Sequence, residues 1–81
     1  MVHEFVVSWD IQITRQGRNY SRHYARYFDG RDAALAFARK KDQNPATAWV
    51  RIREQESEEF IAPDGCRGVR VNVLAFLSVD D

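Results

Sequence analysis

The sequence predicts an α+β domain: an antiparallel sheet of four to five strands with one helix packed on one face, in the order β-β-α-β-(β)-β. Three observations carry this. From Phe5 to Ile13 the odd positions Phe5, Val7, Trp9, Ile11 and Ile13 are apolar, while Ser8, Asp10, Gln12 and Thr14 between them are polar. This period of two marks a half-buried strand. Gln16-Gly17 then offers a two-residue turn into a second strand near Asn19 to Phe28, so a hairpin is expected. Finally, the one helical pattern is DGRDAALAFARKKDQNP, which lies between that hairpin and the remaining strands. With 81 residues in all, residues 1–81 form a single domain.

A two-residue loop fixes the hairpin register. Ile13 faces Tyr20, Ile11 faces Arg22, Trp9 faces Tyr24, Val7 faces Arg26 and Phe5 faces Phe28. Tyr20, Tyr24 and Phe28 are therefore expected in the core, with Arg22 and Arg26 laid along an edge, stems on apolar surface and heads in water. Asn19, Ser21, His23, Ala25 and Tyr27 form the solvated opposite face. Tyr20, Tyr24 and Tyr27 also fit helical spacing, but the turn signal before them favours the strand.

In the helix, Asp29 is the expected cap, Asp32 lies in the first turn and Arg39, Lys40 and Lys41 lie near the end, with Asn44-Pro45 as the stop. Ala34, Leu35, Phe37 and Ala38 make its apolar stripe. TAWVRIRE reads as a third strand, with Ala48, Val50 and Ile52 alternating against Trp49, Arg51 and Arg53. EQESEE, residues 54–59, reads as a charged loop or strand end, FIA as the start of a short strand, and PDG as a turn. In VRVNVLAFLSV the odd positions from Val69 to Val79 are all apolar and Leu74 and Phe76 join them. That pattern suggests burial on both faces and a central strand.

Composition narrows the function classes. Cys66 is the only cysteine, so there is no intramolecular disulfide, and the expected compartment is the reducing cytoplasm. MVHEFVVSWD has no basic region followed by an apolar run, and no stretch approaches the ~20 apolar residues of a membrane span, so the chain reads as soluble. Net charge is zero, but residues 1–41 hold eight basic and four acidic side chains while residues 42–81 hold four and eight. His3, His23 and Cys66 have no metal-ligand spacing, the glycines make no phosphate loop, and the glutamates read as a solvated run. The expectation is therefore a protein that is not an enzyme and uses no metal and no cofactor.

Binding remains, and its candidate residues fall into two sets. Arg18, Arg22, Arg26, Arg51 and Arg53, with Tyr27 or Trp49 stacking, form a set that suits nucleic acid. Trp49 flanked by Arg51 and Arg53, together with Glu54, Glu56, Glu58, Glu59, Asp80 and Asp81, suits a protein interface anchored by aromatic and arginine side chains or a basic partner surface.

Two resemblances accompany these sets. The stretch WDIQITRQGRNYSRHYARYFDGRDAALAFARK resembles the N-terminal arm-binding domains of tyrosine recombinases, in which the sheet enters the major groove; this resemblance implies DNA binding. In size, element order and the stretch AALAFARKKDQNPATAWVRI, the chain resembles small phage and mobile-element inhibitors, including anti-CRISPR proteins. That resemblance implies a CRISPR surveillance complex or nuclease as target, with the acids facing its basic nucleic-acid-binding surface. The leading expectation is a small inhibitor of a protein or ribonucleoprotein complex, monomeric or homodimeric. DNA binding through the arginine-rich hairpin is the alternative, and a homo-oligomeric module pairing through an exposed edge strand is the third.

Overall fold

The computed structural model describes residues 1–80; the expectation for Asp81 lies outside them. The described residues form β1 (Val2–Arg15), β2 (Arg18–Phe28), α1 (Arg31–Asp42), β3 (Thr47–Ile61) and β4 (Arg67–Leu77). The strands make one antiparallel sheet in the order β2-β1-β3-β4. The fold is α+β as the patterning predicts, with four strands.

The first hairpin has the expected register, from Phe5 opposite Phe28 to Ile13 opposite Tyr20. Its turn explains why. Gln16 and Gly17 both take positive φ, 51° and 73°, the geometry of a type I′ turn whose twist matches that of the strands. The loop length cannot slip without turning every core side chain outward.

Helix α1 crosses the face that carries the odd residues of β1. Phe5, Val7 and Trp9 from β1, Ile52 from β3, and Ala34, Leu35 and Ala38 from the helix form the buried cluster, with Ile11, Phe28, Phe37, Val50, Leu77 and Val79 packed around it. Burying each large apolar side chain in such a cluster stabilises the fold by roughly 1.5–3 kcal/mol. Arg39 Nε donates to the Val79 carbonyl at 3.0 Å, tying the chain end to the helix. The expected cap is corrected: Gly30, not Asp29, is the N-cap, and no side chain caps this end. Asp32 and the Arg39-Lys40-Lys41 end do complement the helix dipole.

The expected burial of Tyr20 and Tyr24 is also corrected, since both are exposed. The helix packs mainly on β3 and β1 and least on β2, so β2 keeps its register partners but gains little cover. Tyr24 still stacks on Trp9, with ring centroids 5.8 Å apart.

β3 and β4 depart from the sequence expectation in three places. Residues 54–59 are strand interior, not a charged loop, because β1 pairs them on one side through Ser57 and β4 pairs all of them on the other. Phe60 and Ile61 of FIA continue β3, which ends at Ile61, rather than starting a strand of their own. β4 is an edge strand, not a central one. Its ladder shifts where Ala75 sits opposite Glu54 but Val73 opposite Gln55, leaving Leu74 as an extra residue. A bulge of this kind reverses the sidedness of the strand. Ala75 and Leu77 lie on the helix side, while Val69, Val71 and Val73 lie on the other side, and all three are exposed.

Candidate functional site on the helix-free face

The pleat places Glu4, Val6, Ser8 and Asp10 of β1 on the side away from the helix. Beside them lie His23, Ala25 and Tyr27 of β2, Arg51, Arg53, Gln55 and Ser57 of β3, and Phe76 of β4. Among the described residues no second layer covers this face, yet Val6 is only 1% exposed. Its neighbours across the ladders are Tyr27 and Arg53, side chains long enough to close over it while keeping their polar ends in water.

A polar chain runs along β3. Arg53 Nε donates to Gln55 Oε1 at 2.7 Å, and Gln55 Nε2 donates to Glu4 Oε1 at 2.8 Å. Ser57 Oγ donates to the same carboxylate oxygen at 3.3 Å. Gln55 is 2% exposed, so its amide must be satisfied inside the protein, and these bonds satisfy it.

Next to this chain a shallow hollow is lined by Ser8, His23, Arg51, Arg53 and Phe76. His23 Nδ1 donates to Asp10 Oδ1 at 2.6 Å. A carboxylate can only accept, so this bond fixes the tautomer and leaves Nε2 for another partner. The hollow thus combines two guanidinium groups, an oriented imidazole, a hydroxyl and the ring of Phe76, which is 74% exposed. Such a set can hold carboxylates or phosphates and can stack on a planar group.

Trp49 stands where the β1–β3 ladder shifts between Ser8 and Asp10. Its φ is 52° and it is 64% exposed. Positive φ in a bulky residue is rare and strained, and strain of this kind concentrates at functional positions.

The remaining candidates are divided by the pleat. Arg22 and Arg26 fall on the helix side, where the Arg26 guanidinium lies 5.3 Å from the Phe28 ring centre and 5.1 Å from that of Phe37. Arg18 pairs with Arg15 beside the turn. Glu54, Glu56 and Glu58 are on the helix side and Glu59 on the other; His3 Nε2 donates to Glu54 Oε2 at 2.6 Å. The fold therefore gathers Tyr27, Arg51 and Arg53, while the five arginines do not share one surface. Asp10, Ser8, Gln55 and Phe76 join the site without having been singled out from the sequence. The hairpin register alone pairs Asp10 with His23, so that contact had a signal. The exposure of Phe76 had none, because it depends on the β4 bulge.

Elsewhere, Cys66 is exposed, and its backbone N–H donates to Asp64 at 3.0 Å, which holds that carboxyl below its ordinary value. Among the described residues, no cluster of His, Cys, Asp and Glu could hold a metal ion, and no helix is long and apolar enough to cross a membrane. No protein family, curated protein or solved structure matches the chain.

Proposed function

We propose that this chain is a non-enzymatic cytoplasmic binding protein, a small inhibitor of a protein or ribonucleoprotein complex, with CRISPR–Cas effectors as the target class. The single observation that carries a binding role is Trp49. A tryptophan held at φ 52° with 64% of its surface in water serves neither the backbone nor the core. Arg51 and Arg53 follow it on the same strand, and tryptophan and arginine are the residue types that most often anchor interfaces. The choice of target class rests on the sequence resemblance alone.

A second reading, single-stranded nucleic acid, is favoured by one feature of the helix-free face. Tyr27 and Phe76 are exposed rings on the same side as Arg51, Arg53 and His23, a combination that suits stacked bases and phosphates. Arg22 and Arg26 on the helix side would contribute little to it.

The test presents immobilised chain to purified CRISPR–Cas effector complexes and, separately, to labelled duplex and single-stranded DNA and RNA across a salt series. The inhibitor reading expects one effector to be retained and its nuclease activity blocked, with both effects lost in a Trp49→Ala, Arg51→Ala variant that melts normally. Failure to retain any effector, together with tight nucleic-acid binding that weakens steeply with salt, would replace it with the second reading.

A further inference from the structure

A compact monomer of this mass exposes about 5,000 Å², and a globule of this length has a radius of gyration of about 12 Å. This chain exposes 6111 Å² and has a Cα radius of gyration of 15.7 Å. The surplus, about 1,100 Å², marks an open sheet backed over only part of its length, with β4 at one of its edges.

The two sheet edges differ in how they face water. β2 carries Arg18, Arg22, His23 and Arg26, and charge blunts an edge against pairing. β4 carries Arg67 and Arg70 at its start, but from Val71 to Leu77, VNVLAFL, it has no charge, glycine or proline. Val69, Val71 and Val73 on its helix-free side are 62%, 50% and 44% exposed. An edge that holds three exposed valines on one side, with Arg70 and Asn72 on the other, pairs with other strands if left open.

We infer that a second copy of this chain covers β4, the two β4 strands pairing antiparallel about a two-fold axis at Val71. In this register Val71 meets its own counterpart, Val69 meets Val73 of the second copy, and Arg70 meets Asn72. The apolar rows join on the helix-free side, and no like charges oppose one another on either side. The bulge at Leu74 lies just past the valine row, so pairing stops there and Phe76 remains at the hollow. Zero net charge leaves no overall repulsion between copies. Closure also favours a second copy over a foreign strand. Joining two four-stranded sheets through β4 leaves only the arginine-bearing β2 strands at the outer edges, so assembly ends at two.

Cysteine pairing reads the register directly. In a Cys66→Ser background, which removes the only thiol, Val71→Cys should oxidise to a covalent homodimer, because directly opposed Cβ atoms lie about 5 Å apart, close to disulfide reach. Val69→Cys and Val73→Cys should each stay uncrosslinked alone and crosslink when mixed. Analytical ultracentrifugation of the unmodified chain should give twice the chain mass, and Val71→Lys should weaken association by about tenfold or more with its circular dichroism intact. A wild-type chain that sediments as a monomer at its highest attainable concentration overturns the inference. So does a dimer in which Val69→Cys or Val73→Cys crosslinks with itself in preference to Val71→Cys. The cysteine variants keep the test decisive if the lysine variant does not fold.

Discussion

At residue scale, Trp49 sets stability against binding. Left-handed backbone costs an ordinary L-residue roughly 1–2 kcal/mol that glycine does not incur, and a side chain this exposed returns little of that through burial. Trp49→Gly should therefore stabilise the fold by about 1 kcal/mol, raising the melting temperature by about 4–8 °C, while abolishing capture of the partner. Thermal melts and the retention assay, run on the same preparation, check both halves. The arginines of β2 divide in a similarly specific way. Arg26 lies over Phe28 and Phe37 at the rim of the core, an arrangement worth about 0.5–1 kcal/mol at an exposed site. Arg22 pairs with Ile11 out on the open strand. Denaturant titration should show Arg26→Ala destabilised by about that amount and Arg22→Ala close to unchanged; equal losses would mean that stem packing along the strand, not the rings, holds both.

At the scale of elements, β3 is the strand whose sequence argues most against its structure. Four glutamates between residues 54 and 59 have poor strand propensity, yet the segment lies in the ladder because its other face is anchored by Gln55 bonded to Arg53 and Glu4. Gln55→Ala leaves a carboxylate and a guanidinium short of a partner and should cost about 1–3 kcal/mol, measured by denaturant unfolding; a loss below about 0.5 kcal/mol would show that water replaces the amide without penalty. The contrast with the first hairpin shows what a sequence can reveal. Phe5 to Phe28 was legible to the residue because strict alternation and a two-residue turn leave one register. The helix was legible from Ala34, Leu35 and Ala38. Beyond Pro45, alternation no longer tracks one face. Trp49 and Leu74 each add a residue on one side of a ladder, so Val73 and Ala75, two apart in sequence, point to opposite sides. Of the site, Tyr27, Arg51 and Arg53 were legible from period and residue type. Phe76 was hidden behind the bulge, and the apolar run that contains it imitates a central strand.

At the scale of the whole molecule, the fold is a long sheet backed over part of its length. The extents are 49 × 33 × 15 Å. A 12-residue helix rises only about 18 Å, so it cannot back the full length of β1 or β3. The core cluster draws on Phe5, Val7, Trp9 and Ile52, and Glu56 to Ile61 add nothing to it. Two zones of stability should result within one inner strand. The amides of Ile52 and Arg53 sit over the packed layer, whereas those of Ser57 and Glu58 sit in a single layer held by ladder bonds and the Glu4 contacts. Local opening of the unbacked zone forfeits little apolar burial, so it should proceed without global unfolding. Native-state hydrogen exchange on the Val71→Lys variant, at a dilution where it is monomeric, should find Ser57 and Glu58 exchanging about a hundredfold faster than Ile52 and Arg53, a difference of about 2.8 kcal/mol in opening free energy. Raising the concentration of the unmodified chain should slow Ser57 and Glu58 while leaving Ile52 and Arg53 at the global limit, because a covered β4 stiffens the neighbouring end of β3. Uniform protection along β3 in the dilute monomer would instead mean that the sheet opens as one unit, and that its ladder bonds alone supply what the missing layer does not.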